Sequence, residues 1–257
     1  MYGFFYAVKQ YFSFERKEIA GVLWTSIAFS FILTAFFKGF LRKPVVLEDT
    51  VMFLILAFIF ITLSLWLHVA FQKVMAIKLG YSATYAYWLN GVLISFFFSF
   101  FTLGYVPFIL PGSVSIEHIP KLRLGKFRYG TNLKDIARVS LAGPLTHIIL
   151  VLIAGLFYMW TGATRDGALY LFIIINLFLA VLSCLPLPKF DIPKRMDAGS
   201  DGLGLFFFSR TIYVLVFMTI VCYAILILFA QVWSFILAFI LGVVFAIIYS
   251  IAIEQQN

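Results

Sequence analysis

Residues 51–71 read VMFLILAFIFITLSLWLHVAF, an apolar run without lysine, arginine, aspartate or glutamate. The hydrocarbon core of a bilayer is about 30 Å thick, and about 20 helical residues cross it. Backbone groups in hydrocarbon have no water to bond, so a run of this kind must form a helix. The stretch therefore predicts a membrane-spanning helix that carries His68 near its end.

The whole chain has the composition of a multi-pass membrane protein. Of its 257 residues, 63% are hydrophobic and 12% are charged, and the mean hydropathy is +1.05. Soluble domains are close to half apolar and a quarter charged. We expect a single all-α membrane domain over residues 1–257 with six transmembrane helices. The other five spans are predicted near residues 19–37, 139–160, 168–187, 211–230 and 232–253.

Residues 73–138, which follow the second predicted span, mix strand-like and apolar stretches. Residues 82–88 are typical of a strand, whereas residues 91–110 are apolar but interrupted by Gly104 and Pro107. If residues 91–110 enter and leave on one side, 15 of the 19 lysines and arginines share one face; a full crossing divides them 13 and 6. The positive-inside rule favours the first arrangement. We therefore expect a re-entrant, strand-containing segment here and both termini in the cytoplasm.

The net charge of +8 also fits a membrane protein. It is typical of basic cytoplasmic loops that face anionic lipid, so we expect the lipid bilayer as a partner and no nucleic acid. Cys184 and Cys222 lie in apolar segments, which predicts buried thiols rather than a disulfide. Residues 2–17 are compatible either with an interfacial amphipathic segment or with a loosely ordered terminus.

The end of the second span matches a metal-binding motif in which two positions are changed. A His-Glu-x-x-His motif places two imidazoles one helical turn apart, with the glutamate as general base. His68 occupies the first histidine position, but Val69 stands at the glutamate and Gln72 at the second histidine. Valine accepts no proton, and an amide oxygen suits Mg²⁺ or Ca²⁺ better than Zn²⁺. We favour a buried His68 paired with Gln72 over a metal ligand.

These positions, with others in the same order, resemble the site-2 protease family of intramembrane zinc metalloproteases in its archaeal-type form without a PDZ insertion. The resemblance implies six spans, a strand segment behind the motif helix and cytoplasmic termini. It also implies a zinc ion held by two histidines and an aspartate, with hydrolysis of a peptide bond by zinc-bound water. The segments that carry it are residues 12–19, 68–81, 110–114, 141–146, 176–180 and 185–188.

The resemblance leaves two candidates for the third zinc ligand, which in the family is the aspartate of a Leu-Asp-Gly motif. Asp191 lies at the expected short distance after the Leu-Pro-x-Pro run but lacks the following glycine. Asp201 is followed by Gly202 and is the preferred match, which makes residues 189–200 an insertion.

Four residues of the third and fourth predicted spans are further candidate site residues. His147 stands where the family has asparagine. With the motif histidine and the preferred aspartate it could form a rearranged zinc site, but an imidazole bonded within the bundle is favoured. Asn176, Gly143 and Pro144 match positions near the substrate cleft of the family. A hydrogen bond to another backbone segment is the alternative role of Asn176.

The changed motif predicts a protein that no longer cleaves. Loss of a general base alone typically costs about 10²–10⁴-fold in rate, and loss of a metal ligand adds to that. We expect a pseudoprotease that binds transmembrane clients or partner membrane proteins and holds no cofactor. The alternative is an active intramembrane metalloendopeptidase with a rearranged zinc site. A transporter is disfavoured, because the spans lack the paired charges of coupled transport.

Overall fold

The computed structural model of the chain describes residues 2–110, 112–119, 131–162, 167–188, 200–230 and 233–254. The described residues form two compact units. The first unit contains those up to residue 131, and the second contains those from residue 132 onward. Helix dominates both units, which confirms the predicted helical class. The prediction of a single domain stays a prediction.

The first unit begins with a short helix and contains two long helices, a third shorter helix and two strands. In chain order they are α1 (Tyr2–Tyr11), α2 (Arg16–Lys38), α3 (Leu47–Lys78), β1 (Tyr81–Ala86), α4 (Leu89–Phe101) and β2 (Ser113–His118). Helix α3 packs against α1, α2 and β1, and α2 also contacts α4 and β1. Helix α3 is therefore the centre of this unit.

The second unit is entirely helical over the residues that the structure describes. Its elements are α5 (Leu133–Thr161), α6 (Ala168–Ser183), α7 (Asp201–Phe208), α8 (Arg210–Ala230), α9 (Ser234–Tyr249) and a π-helical turn (Ser250–Glu254). Helix α5 packs against α6 and α7, and α8 packs against α6, α7 and α9. Cys184 is buried and Cys222 is partly buried, and both are free thiols.

Five helices of the described chain are long and apolar enough to cross a bilayer: α2, α3, α5, α8 and α9 with its π-helical turn. The protein is thus an integral membrane protein. The fourth predicted span, residues 168–187, corresponds to α6, which has only 16 residues. At 1.5 Å per residue it measures about 24 Å, less than the usual thickness of the hydrocarbon core. The count of six spans therefore stays a prediction.

The chain between α3 and α5 leaves a small sheet and returns to it. Strands β1 and β2 pair antiparallel, with Tyr81 opposite His118 and Ala86 opposite Ser113. Between the strands, α4 runs beside α2. The turn after α4 also approaches α2 closely, because a Cβ added to Gly104 would lie 2.8 Å from the carbonyl oxygen of Ala35. The chain that leads from α4 back to β2 passes beside α4, where the amide of Leu110 donates to Ser95 Oγ at 2.9 Å. The residues predicted as re-entrant thus begin and end at the same sheet.

Helix α5 begins earlier than the sequence indicates. The span was expected near residue 139, with Pro144 in a helix-start motif, but the helix begins at Leu133 and Pro144 lies about three turns inside it. The Asn132 side chain accepts from the amide of Lys134 at 3.0 Å and caps the true start. Because proline has no amide hydrogen, the Ser140 carbonyl loses its usual helical donor at this point. The expected position of the helix start was therefore wrong.

Candidate functional site

The changed motif lies on the buried face of α3. His68 is 8% exposed, Gln72 is 1% exposed and Val69 is fully buried. Residues 64, 68 and 72 are spaced by one helical turn and share one face, and Ser64 is also fully buried. An apolar side chain at the glutamate position thus belongs to the packed interior of the first unit.

A buried ion pair follows the motif directly. Lys73 Nζ lies 2.7 Å from Glu18 Oε2, and the two side chains are 6% and 3% exposed. Lys73 Nζ also donates to the carbonyl oxygen of Ser13 at 2.6 Å and lies 4.7 Å from the centre of the Phe14 ring. The charged ammonium is therefore held by an ion pair, a backbone acceptor and an aromatic face together, as a buried charge requires.

The partner carboxylate connects three elements. Glu18 Oε1 accepts from the amide of Tyr85 in β1 at 2.7 Å, and Oε2 accepts from the amide of Glu15 at the start of α2, also at 2.7 Å. With Lys73 on α3, this carboxylate fixes the start of α2, the end of the motif helix and the first strand. Sequence reasoning missed this pair, although both residues lie within the segments that carry the family resemblance.

The second unit contains a buried pair of polar side chains. His147 on α5 and Asn176 on α6 are 1% and 0% exposed, and His147 Nδ1 lies 3.0 Å from Asn176 Oδ1. Asn176 Nδ2 donates to the carbonyl oxygen of Phe172 at 2.9 Å. The asparagine thus joins the imidazole to the backbone of α6 itself, whereas the sequence suggested a hydrogen bond from Asn176 to another backbone segment.

This arrangement specifies which ring nitrogen carries the proton. Because the amide oxygen of Asn176 can only accept, Nδ1 of His147 must donate. In the neutral imidazole, Nε2 is then the basic nitrogen. Histidines that bind a metal or act as a base are commonly oriented by such a hydrogen bond from their other ring nitrogen.

Asp201 lies at the start of α7, directly after Ser200, whose hydroxyl is bonded to the Leu-Pro-x-Pro run. The Ser200 hydroxyl donates to the carbonyl oxygen of Leu185 and accepts from the amide of Leu187 at 2.9 Å. Asp201 itself is 9% exposed. The Leu-Pro-x-Pro run and the Asp-Gly pair, which sequence reasoning matched separately to the family, therefore lie side by side.

The glycine of the Asp-Gly pair has a steric reason. An ideal Cβ on Gly202 would lie 1.9 Å from the carbonyl oxygen of Cys184 and 2.4 Å from its carbon. No real side chain fits there, so α7 can approach the end of α6 only with glycine at this position. The contact gives a steric reason, independent of the sequence match, for the glycine that directly follows Asp201. Asp191 lies outside the described residues.

The two other predicted cleft residues, Gly143 and Pro144, are buried on α5. They precede His147 by about one turn, so these three residues share the same part of the helix. The structure brings His147 together with Asn176.

A zinc site of the family type does not fit the described residues. Three protein ligands are usual for catalytic zinc, yet no three His, Cys, Asp or Glu side chains lie together within the described parts of the chain. His118, the remaining histidine, stacks on Tyr81 with ring centres 4.7 Å apart.

Comparison with known proteins supports the resemblance at a distance. The chain is 25% identical over 188 residues to a protein of Methanocaldococcus jannaschii named "Putative zinc metalloprotease". The match covers 71% of this chain and 85% of that protein. No family model matches the chain, and no solved structure matches it. The chain is a distant relative of a protein described as a metalloprotease.

Proposed function

We propose that this integral membrane protein is a site-2-protease-like pseudoprotease, which binds transmembrane clients or partner membrane proteins without cleaving them. The observation that carries the proposal is the burial of Val69, which is fully buried where the family has its general base. Gln72, at the second ligand position, is 1% exposed and belongs to the same interior. Both changes lie inside a packed helix, not at a frayed end.

The chemistry of the remaining side chains supports the loss of hydrolysis. Attack of water on a peptide carbonyl needs a group that takes its proton, and valine takes none. His68 alone provides one ligand of the three that catalytic zinc requires. The absence of a resident cofactor is thus part of the proposal.

The scaffold around the changed motif supports a binding role. The ion pair between Glu18 and Lys73 holds α2, α3 and β1 together with both charges buried. A buried pair of this kind is costly to assemble unless every partner is in place. A binding surface on these elements would remain ordered without a metal. The bilayer is the proposed environment, with both termini in the cytoplasm.

Metal content and cleavage together test the proposal. The full chain, purified in detergent without added chelator, is expected to contain well under one zinc per protein. In proteoliposomes it should leave fluorescently labelled single-span peptides uncut while energy transfer reports that they bind. His68→Ala should change neither result. Stoichiometric zinc, together with cleavage that His68→Ala abolishes, would overturn the proposal.

One observation favours a second candidate, an active metalloprotease with a rearranged site. The Asn176 amide leaves Nε2 of His147 as the basic nitrogen of the neutral ring. This candidate requires a tightly bound transition metal that His147→Ala removes. Metal analysis of the wild-type chain and the His147→Ala variant decides between the two candidates.

A further inference from the structure

The first unit contains an apolar cavity between α2 and α4. Its volume is about 370 Å³. Helix α2 contributes Trp24, Thr25, Ile27 and Ala28, and the chain from the end of β1 into α4 contributes Tyr87, Leu89, Val92 and Phe96. The only polar group at its base, the Thr25 hydroxyl, donates to the carbonyl oxygen of Gly21 and lies 3.2 Å from Tyr85 Oη. The floor of the cavity is therefore apolar except for the Thr25 hydroxyl, which already has partners within the protein.

The rim and the floor of this cavity differ in exposure. Trp24 is 66% exposed and Tyr87 is 48% exposed, whereas Thr25 is fully buried and Ala28 is 3% exposed. Amphipathic aromatic side chains are typical of the membrane–water interface. The cavity is thus a groove that is open beside Trp24 and Tyr87 and closed at Thr25 and Ala28.

The size of the groove fits a hydrocarbon chain better than a helix. An apolar cavity of about 150 Å³ holds a benzene ring, so about 370 Å³ has room for roughly a dozen carbon atoms. A helix about 10 Å wide occupies roughly 400 Å³ in each turn. The groove would take less than one turn of a client helix, but most of one acyl chain.

Positive charge lies at the same end of α2. Lys17 precedes Trp24 by seven residues and Ala28 by eleven, so the three share one helical face. Arg16 is its neighbour, and both basic side chains are exposed. The rise from Lys17 to Trp24 is about 10 Å, somewhat more than the depth of the headgroup layer, roughly 5–8 Å. Glu15 is also exposed there, so the helix start has a small net positive charge.

We propose that this groove binds one acyl chain of an anionic phospholipid, whose phosphate lies against Arg16 and Lys17. An acyl chain gains little free energy when it moves from the bilayer hydrocarbon into an apolar groove. A preference for an anionic lipid must therefore come from contacts with its headgroup. Each basic residue near an anionic surface contributes about fivefold in affinity. Because Glu15 offsets one of the two, preference over a zwitterionic lipid of identical chains is at least about fivefold at low salt.

Native mass spectrometry of the full chain in detergent tests the headgroup preference. Phosphatidylglycerol and phosphatidylcholine with identical acyl chains are titrated separately, and the first bound lipid is quantified. The expected result is at least fivefold tighter binding of phosphatidylglycerol, reduced by Arg16→Gln with Lys17→Gln and by high salt. Lys9→Gln, which removes an exposed charge on α1 instead, should leave the preference unchanged. Equal affinities for the two lipids would overturn the proposal.

Filling the groove tests the acyl-chain site. Ala28→Phe is expected to lower phosphatidylglycerol binding at least tenfold, while Leu23→Phe, on α2 but outside the groove, leaves it unchanged. If Ala28→Phe does not fold, Val92→Phe with Leu93→Phe as its control makes the same comparison from α4. Binding that survives the filled groove would overturn the proposal. So would displacement of the lipid by an equimolar single-span peptide, which would assign the groove to a client helix. This assay measures lipid occupancy, so its outcome is independent of cleavage.

Discussion

At the scale of single residues, two buried polar side chains of this membrane protein have well-defined partners. Lys73 has an ion pair and a backbone acceptor, and His147 has an amide that itself bonds to the backbone. Buried polar groups cost free energy unless they are bonded in this way. Removal of a single partner should therefore lower the free energy of unfolding by a measurable amount.

The ion pair gives the first prediction. Lys73→Gln leaves Glu18 as a buried carboxylate without its cation, and we expect it to lower the free energy of unfolding by about 3–5 kcal/mol. Lys78→Gln removes an exposed lysine from the last turn of the same helix and should cost less than about 0.5 kcal/mol. Unfolding in mixed micelles measures both. Equal effects of the two substitutions would show that the buried pair contributes nothing beyond a surface charge.

The contact of Gly202 gives the second prediction. A methyl group there would meet the carbonyl of Cys184 at 1.9 Å, so Gly202→Ala must displace α7 or the end of α6. We expect a loss of about 1–3 kcal/mol and a lower melting temperature. Gly3→Ala is the control, because nothing lies within 4 Å of its added methyl group. A Gly202→Ala variant as stable as the wild type would mean that the close approach of the backbones is not needed.

At the scale of elements, the pattern of apolar residues explains why α3 was easy to predict and α4 was not. Helix α3 exposes Met52, Ile55 and Ile59 on one side and buries Ile61 and Leu65 on another, as expected for a span with one lipid-facing side. Helix α4 has 13 residues, about 20 Å in length. Its return to the sheet is set by the pairing of β1 with β2, which composition does not reveal.

The sheet gives the third prediction. In a background of Cys184→Ala and Cys222→Ala, Thr84→Cys and Glu117→Cys should react with an impermeant maleimide from the same side of the membrane, because they lie on paired strands. Lys9→Cys should react from that side too, and Lys43→Cys from the other, since α2 lies between them. Labelling of positions 84 and 117 from opposite sides would contradict a re-entrant segment.

At the scale of the whole molecule, the distant relationship and the changed motif both support the proposal of a membrane scaffold that binds without cleaving. The match to the named metalloprotease covers 71% of this chain, so it extends well beyond one motif. The positions that differ from the motif are internal to α3 and buried.

Restoring the two changed residues of the motif gives the fourth prediction. Val69→Glu with Gln72→His places two imidazoles one turn apart on α3 with a carboxylate beside the first. We expect zinc affinity at least about tenfold above the wild type, since even a partner of a metal ligand contributes about 10–100-fold. Equilibrium dialysis with zinc measures it, and His68→Ala in the reverted background should remove the gain. Unchanged affinity in the reverted protein would mean that more than these two positions has been lost.

The sequence alone determined the class of this protein, because apolar runs of about 20 residues are stable only as helices in a bilayer. It also determined that the metal motif is incomplete, since residue identity decides which atoms can bind zinc or accept a proton. Only the tertiary structure decided which polar residues meet: Glu18 and Lys73 are 55 positions apart, and His147 and Asn176 are 29 apart. Helical periodicity assigns a residue to a face of its own helix, but packing between helices selects the partner that faces it.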